Sequence, residues 1–325
     1  MYARISAKRK KLLDRKDYEN LLKMGPNEIA RKLGELDYKE DIDELGASHE
    51  GLELAEMALA RNVSRTMAGI VEIAPESLKP VIAAYLRRYD IENLKKLLRW
   101  KHGDERGEVE KMLLPAGSYG REKLMKLADQ DLDDIKTEIR FPAAEVDYTS
   151  YLEDAEDLKE MERALDRAYY DEIKDVADST GNNWFRKFVS DEIEYQNLKI
   201  ALRLKKYGKQ PEQIDEWLLN GNVSEAVELA RDAENLERAV SELESLDRFE
   251  AVGEDATLEE IEHGIEVERL REALKTLHID PLGMTSILGY IVAKMVEVKN
   301  LRMLLRAKET GIQNPETIRD NLVTA

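Results

Sequence analysis

The sequence predicts an all-α protein built from three repeats. Three observations carry this. Apolar residues make up 42% of the 325 positions and charged residues 36%, but aromatics only 6%, with 17 glycines and 8 prolines. That profile suits long helices of Ala, Leu, Glu, Lys and Arg, and disfavours sandwiches and barrels, which need frequent turns and aromatic strands. A short pattern recurs three times at near-equal spacing, and a glycine soon follows each copy. At about 150 residues per domain the length allows two globular units, or an array of repeats.

Residues 90–101 read DIENLKKLLRWK, residues 194–205 EYQNLKIALRLK and residues 297–308 EVKNLRMLLRAK. Each has an acid three places before an Asn, then Leu, a basic residue, and an Arg-x-Lys ending. Asn93, Asn197 and Asn300 lie 104 and 103 residues apart, and Gly103, Gly208 and Gly311 follow. Such a period marks a repeat architecture. It divides the chain into residues 1–103, 104–208 and 209–325, with no long linker between them. A weaker feature lies upstream, EMALARN at 56–62 and ERALDRA at 162–168. Its third copy is expected within 265–274, IEVERLREAL.

Taken in order, residues 18–22 and 27–36 predict short helices. Pro75 introduces a long helix over 76–102, with a kink near Pro80. Short helices follow over 121–128, 211–219 and 224–236, the second with Pro211 well placed at its start. Longer ones cover 152–177, 184–206 behind a cap from Asn182 or Asn183, 258–277 before Pro281, and 285–310 up to Gly311. No strand is expected, and 141–148 is the least helical stretch.

On a helical wheel Ile91, Leu94, Leu97 and Leu98 fall in one arc of roughly 120° that faces neighbouring helices. Glu92, Lys95 and Arg99 share another face. Asn93 sits at the edge, where its amide can bond a neighbouring helix or loop and set register. Asp90 and Lys101 project near the centre of the stripe, as do Glu194 with Lys205 and Glu297 with Lys308. The lysines can snorkel, whereas buried acids need partners, and Arg61, Arg167 and Arg269 are the expected ones. Packing is the expected role of Asn93, Asn197, Asn300, Arg99, Arg203 and Arg306. The alternative has one of the arginines facing a partner.

No catalytic constellation emerges. Only four histidines exist, and none has a metal-ligand spacing. Phosphate loops, dinucleotide turns and nucleophile elbows are missing. PAGSYG at 115–120 lacks the Lys-Ser/Thr of a phosphate loop and reads as a connector. Asp129, Asp131, Asp133 and Asp134 lack the pattern of a calcium loop. With residues 37–44 and 250–260 they read as an acidic surface for basic partners. The net charge of −18 repels nucleic acid despite KRKK at 8–11. No cofactor or metal is expected, and the absence of cysteine excludes disulfides. Residues 1–13 are basic with no apolar run, so no signal peptide is expected. No stretch is long and apolar enough to span a membrane; the nearest, 287–298, carries Lys294 and Glu297.

The three copies, with YLRRYDIENLKKLLRWKHG at 85–103 and KMVEVKNLRMLLRAKETG at 294–311, resemble the C subunit of archaeal and bacterial A/V-type ATP synthases. The same family includes the eukaryotic V-ATPase d subunit. Arg4, Arg9, Leu12 and Leu13 resemble its early arginine-rich helix. The resemblance covers essentially the whole chain. It implies three similar helical bundles arranged as a pseudo-threefold funnel and a non-catalytic, single-copy rotor subunit. It implies the central-stalk D and F subunits and the membrane proteolipid ring as partners, and a peripheral place on the cytoplasmic side of the cell membrane. The subunit would transmit torque between ATP turnover and transport of protons or sodium ions. Read without the resemblance, the same repeats also fit a generic helical scaffold or regulatory binding module. A helical enzyme would want clustered histidines and acids on facing helices.

Overall fold

Side-chain caps start many of the helices in the computed structural model, among them those at Asp14, Asn182, Ser224 and Asn235. It describes residues 1–103, 108–141, 144–221, 223–246, 257–275, 283–312 and 314–323. Eighteen helices and no strand occur among these residues. In chain order they are α1 Tyr2–Arg9, α2 Arg15–Leu21, α3 Pro26–Leu33, α4 Lys39–Leu45, α5 Gly51–Ile73 and α6 Lys79–His102. Next come α7 Val109–Met112, α8 Arg121–Ala128, α9 Leu132–Glu138, α10 Tyr148–Leu152, α11 Leu158–Ser179 and α12 Asn183–Lys206. The last are α13 Pro211–Asp215, α14 Glu225–Asp232, α15 Leu236–Glu244, α16 Leu258–Lys275, α17 Met284–Glu309 and α18 Pro315–Asp320.

Several expectations change for physical reasons. Pro80 starts α6 instead of kinking it, because its missing N–H is harmless in the first turn. Residues 75–78 form the turn that separates α5 from α6. The helix expected over 152–177 begins only at Leu158, since Leu152 ends α10 and Asp157 accepts the Glu160 N–H at 2.8 Å to start α11. The helix expected over 224–236 stops at Asp232, and a further helix, α15, begins at Leu236. Ser224 caps α14, and Asn235 caps α15 by accepting the Arg238 N–H at 2.8 Å. Asn182 caps α12 through the Phe185 N–H at 2.9 Å, as its sequence position implies. Asp104 of the repeat boundary, part of 141–148 and of 250–260, the end of 258–277, His278 and Pro281 lie outside the described residues.

The repeated glycines close the three long helices. Gly103, Gly208 and Gly311 have φ of 86°, 69° and 80°, the left-handed region that favours glycine. After two of them the next N–H turns back onto the helix, Lys209 to Leu204 O at 3.1 Å and Ile312 to Ala307 O at 2.9 Å.

The chain forms two compact units, Met1–Leu165 with Leu274–Ala325, and Asp166–Ala273. In the first, α6 packs against α7 and α8, while α17 packs against α1, α3 and α5. Ile91, Leu94, Leu97 and Leu98 are buried, as are Ile287, Leu288, Leu301 and Leu304 of α17. In the second unit α12 packs against α13, α14 and α15 around Leu198, Leu202, Ile214, Val227, Ala230 and Ala239. Helices α2, α8 and α14 begin 106 and 104 residues apart, so the period extends beyond the quoted motif.

A Cβ at Gly103 would meet nothing within 4 Å, so Gly103→Ala tests backbone conformation alone. It should cost about 1 kcal/mol, lowering the urea midpoint with an unchanged slope. An unmoved midpoint would mean that the left-handed residue does not close α6.

Candidate functional site

The repeated asparagines make the same unusual contact three times. Asn93 donates to Leu114 O and accepts from Leu114 N, both at 2.8 Å. Asn197 does this with Leu219, at 3.2 and 2.7 Å. Asn300 does it with Val323, at 2.8 and 3.0 Å. A side-chain amide carries a donor and an acceptor side by side, so it can satisfy both backbone groups of one residue. All three asparagines are buried, as are Leu219 and Val323, while Leu114 is half-buried. The helix expected over 211–219 ends at Asp215, and Leu219 lies in the connector beyond it with its N–H on Asn197.

The acids at the start of the motif differ. Asp90 is buried and accepts three bonds of 2.8 Å, from Ser118 N, Ser118 Oγ and Tyr119 N. PAGSYG is thus a connector that cradles a carboxylate. A Cβ on Gly117 would stand 2.3 Å from the Asp90 carboxyl, so only glycine fits there. Burial pushes the Asp90 carboxyl above its usual value, opposed by the Tyr119 and Ser118 donors. Glu297 accepts from Tyr38 Oη and Leu13 N at 2.6 Å and from Lys294 Nζ at 2.8 Å. Burial, with Glu297 close by, raises the Tyr38 phenol well above its usual range and keeps its proton in place. Glu194 is half-buried.

The arginine partners expected for Asp90 and Glu297 are therefore not those used: backbone N–H groups, a serine, a tyrosine and a lysine serve instead. Arg61 pairs with Glu44, Arg269 lies 3.6 Å from Glu192, and Arg167 is half-buried in α11.

At the motif's other end, Lys101 donates to Ala128 O at 2.6 Å and Lys308 to Leu22 O at 2.7 Å. Those carbonyls close α8 and α2, where a helix end favours a cation. Lys205 is buried, and burial lowers its ammonium below the usual value, with Asp232 of α14 opposing.

The arginines each meet a glutamate of a long upstream-type helix. Arg99 makes two bonds to Glu162 of α11, at 2.6 and 2.8 Å. Arg203 makes two to Glu262 of α16, and Arg306 lies 3.6 Å from Glu56 of α5. By the sequence repeats, the first pairs with the second, the second with the third, and the third with the first. The segments EMALARN and ERALDRA begin with Glu56 and Glu162, so the weak upstream feature held the acid partners. Its third member by contact is Glu262, just ahead of the expected 265–274. The side chains of Arg203 and Arg306 stay 58% and 60% exposed, which limits these pairs to modest stabilisation.

The acidic stretch 37–44, expected to attract partners, is largely used internally. Asp37 pairs with Lys11 at 3.0 Å, Glu40 and Glu44 pair with Arg65 and Arg61, and buried Asp41 accepts from Asn62 and Arg65. Asp131 caps α9 through the Asp134 N–H. Among the described residues no cluster of three His, Asp or Glu side chains is placed to hold a metal, and no helix is long and apolar enough to cross a membrane.

Amide clamps, a carboxylate cradle and ion pairs define an all-helical protein whose recurring polar residues join its own elements. The chain belongs to the ATP synthase (C/AC39) subunit family, whose pattern matches residues 1–321. It is 31% identical to the C subunit of the A-type ATP synthase of Haloferax volcanii, over 99% of this chain and 96% of that one. The C subunit of the Methanosarcina mazei A-type enzyme is 33% identical, covering 98% of this chain and 91% of its own. That of Haloquadratum walsbyi is 32% identical, covering 97% and 95%. Membership makes this chain a structural subunit of the ATP synthase complex, not a catalytic one.

Asn197→Ala should cost about 2–6 kcal/mol, since it orphans a buried N–H and C=O of Leu219 at about 1–3 kcal/mol each. Urea midpoints measure this, and a loss below about 1 kcal/mol would show that the amide does not hold the connector. Burial pulls Lys199 of α12 from 10.5 down to about 8, with Glu266 raising it and Arg269 and Arg203 lowering it further. Between those values the unfolded chain holds a proton that the folded chain lacks, so stability should rise with pH across the window. Lys199→Met should flatten that rise in urea melts at about pH 8 and about pH 10. Parallel curves for parent and variant would refute it.

Proposed function

We propose that this chain is the central-rotor adaptor of an A/V-type rotary ATP synthase. On this reading it joins the central-stalk D and F subunits to the membrane proteolipid ring, one copy per complex. It turns with the rotor and passes torque between ATP turnover and transport of protons or sodium ions. It sits at the cell membrane as a peripheral subunit on the cytoplasmic side. The observation that carries the reading is full-length membership of the ATP synthase C/AC39 family, with a polar contact repeated in each third of the chain.

Physical features support it. A torque link must resist shear between its parts. Three amide clamps and ion pairs running from each repeat to the next are suited to that. The repeats at 1–103, 104–208 and 209–325 would act as three comparable arms, as the funnel expected from the resemblance requires. The charge of −18 favours stalk or ring surfaces rich in Lys and Arg. With no membrane-crossing helix among the described residues, the membrane would be reached through the proteolipid ring.

Co-purification of the tagged chain with D–F complex and with detergent-solubilised ring tests this. The expected result is capture of both, weakening as salt rises. Capture of neither at low salt would overturn the adaptor reading and leave a scaffold with other partners.

A further inference from the structure

The third asparagine helix differs from the first in where its supporting segments come from. Asp90 and Lys101 of α6 bond to residues 28 and 27 positions away, Ser118 and Ala128. The equivalent Glu297 and Lys308 of α17 bond to residues 284 and 286 positions away, Leu13 and Leu22. In both cases the acid takes a backbone N–H just before a short helix, and the lysine takes the carbonyl that ends it. Helix α2 thus does for α17 what α8 does for α6. Arg319 of α18 adds two bonds to Glu19 of α2, 300 positions away, at 2.7 and 2.9 Å.

We infer that α1–α3 and α17–α18 form one module closed by a non-covalent seam, and that this seam is a latch that opens ahead of the rest of the fold. Short connectors keep α6 and α8 near each other even when their contacts break. No short connector joins α17 to α2, so once the seam breaks only packing, including that of α5 on α3 and on α17, brings its two sides back together.

The α17 side of the seam also carries a buried ion pair, Lys294 with Glu297 at 2.8 Å. Lys294 and Glu297 are 1% and 3% exposed, and Lys294 Nζ lies 4.1 Å from the centre of the Tyr38 ring. Removing one member of such a pair leaves the other buried without its counter-charge, which costs far more than the pair contributes. Tyr290 Oη, buried on α17, has no hydrogen-bond partner among the described residues, so the seam is not fully satisfied. The latch does not depend on the adaptor reading and is tested on the isolated full-length chain.

Hydrogen exchange read by mass spectrometry on Glu297→Gln is the test, with Asp90→Asn as the local counterpart. In Glu297→Gln, exchange should quicken at least about tenfold in peptides from both 2–33 and 284–320, and stay unchanged in 183–244. In Asp90→Asn the gain should remain within 79–128. The half-buried pair variant Glu19→Gln/Arg319→Gln, which leaves the Glu297 network intact, should quicken the same two end segments to a smaller extent. It carries the test if Glu297→Gln fails to fold. Quickening confined to 284–320, or spread equally through 183–244, would overturn the latch.

Discussion

A single side-chain amide bonded to both backbone groups of one connector residue is the contact on which the rest of this structure depends. Helix α6 can bury an apolar stripe in many registers, because dispersion and hydrophobic contacts are not directional. The Asn93 bonds to Leu114 are directional, and they leave one register. Once Leu114 is held, the following loop brings Ser118 and Tyr119 to Asp90, and α8 arrives with its last carbonyl at Lys101. The order along the helix is acid, asparagine, lysine. It matches the order of contacts from cradle to clamp to helix end.

The same scheme tolerates different chemistry at the acid. Asp90 is short, and the glycine at 117 lets a backbone loop close directly upon it. Glu297 reaches further and is met by Tyr38 and Lys294 from side chains, with one backbone N–H from Leu13. In α12 the buried acid is Glu192, near Arg269 and Tyr170, while Glu194 is only half-buried. The amide keeps its geometry in all three copies, and the lysines of α6 and α17 keep theirs, because their partners are main-chain carbonyls and N–H groups, whose placement follows from the fold alone.

Charge divides into two uses. The acids of 37–44 and the motif arginines are engaged within the chain. The remaining acidic excess gives the molecule a negative field, which bears on association rate and choice of partner more than on fold. The molecule's work, on the reading proposed, is transmitted through rigid contacts.

What the sequence determined by itself was periodicity. Three copies of one pattern, the glycines after them, and the apolar stripe of each helix were all legible, because helix period and left-handed glycine are local properties of the chain. That Asn93 would bond a neighbour was also legible, but not which residue or that it would be clamped at both backbone groups. The tertiary structure alone decided the partners. It put Glu56, Glu162 and Glu262 opposite the arginines, replaced the expected arginine partners of Asp90 and Glu297, and turned the acids of 37–44 inward. It also supplied α17 with helices from the opposite end of the chain, although the sequence repeat divides 1–103 from 209–325. The physical reason is that spacing along a helix fixes which face a side chain takes, whereas what lies across that face depends on how distant segments pack.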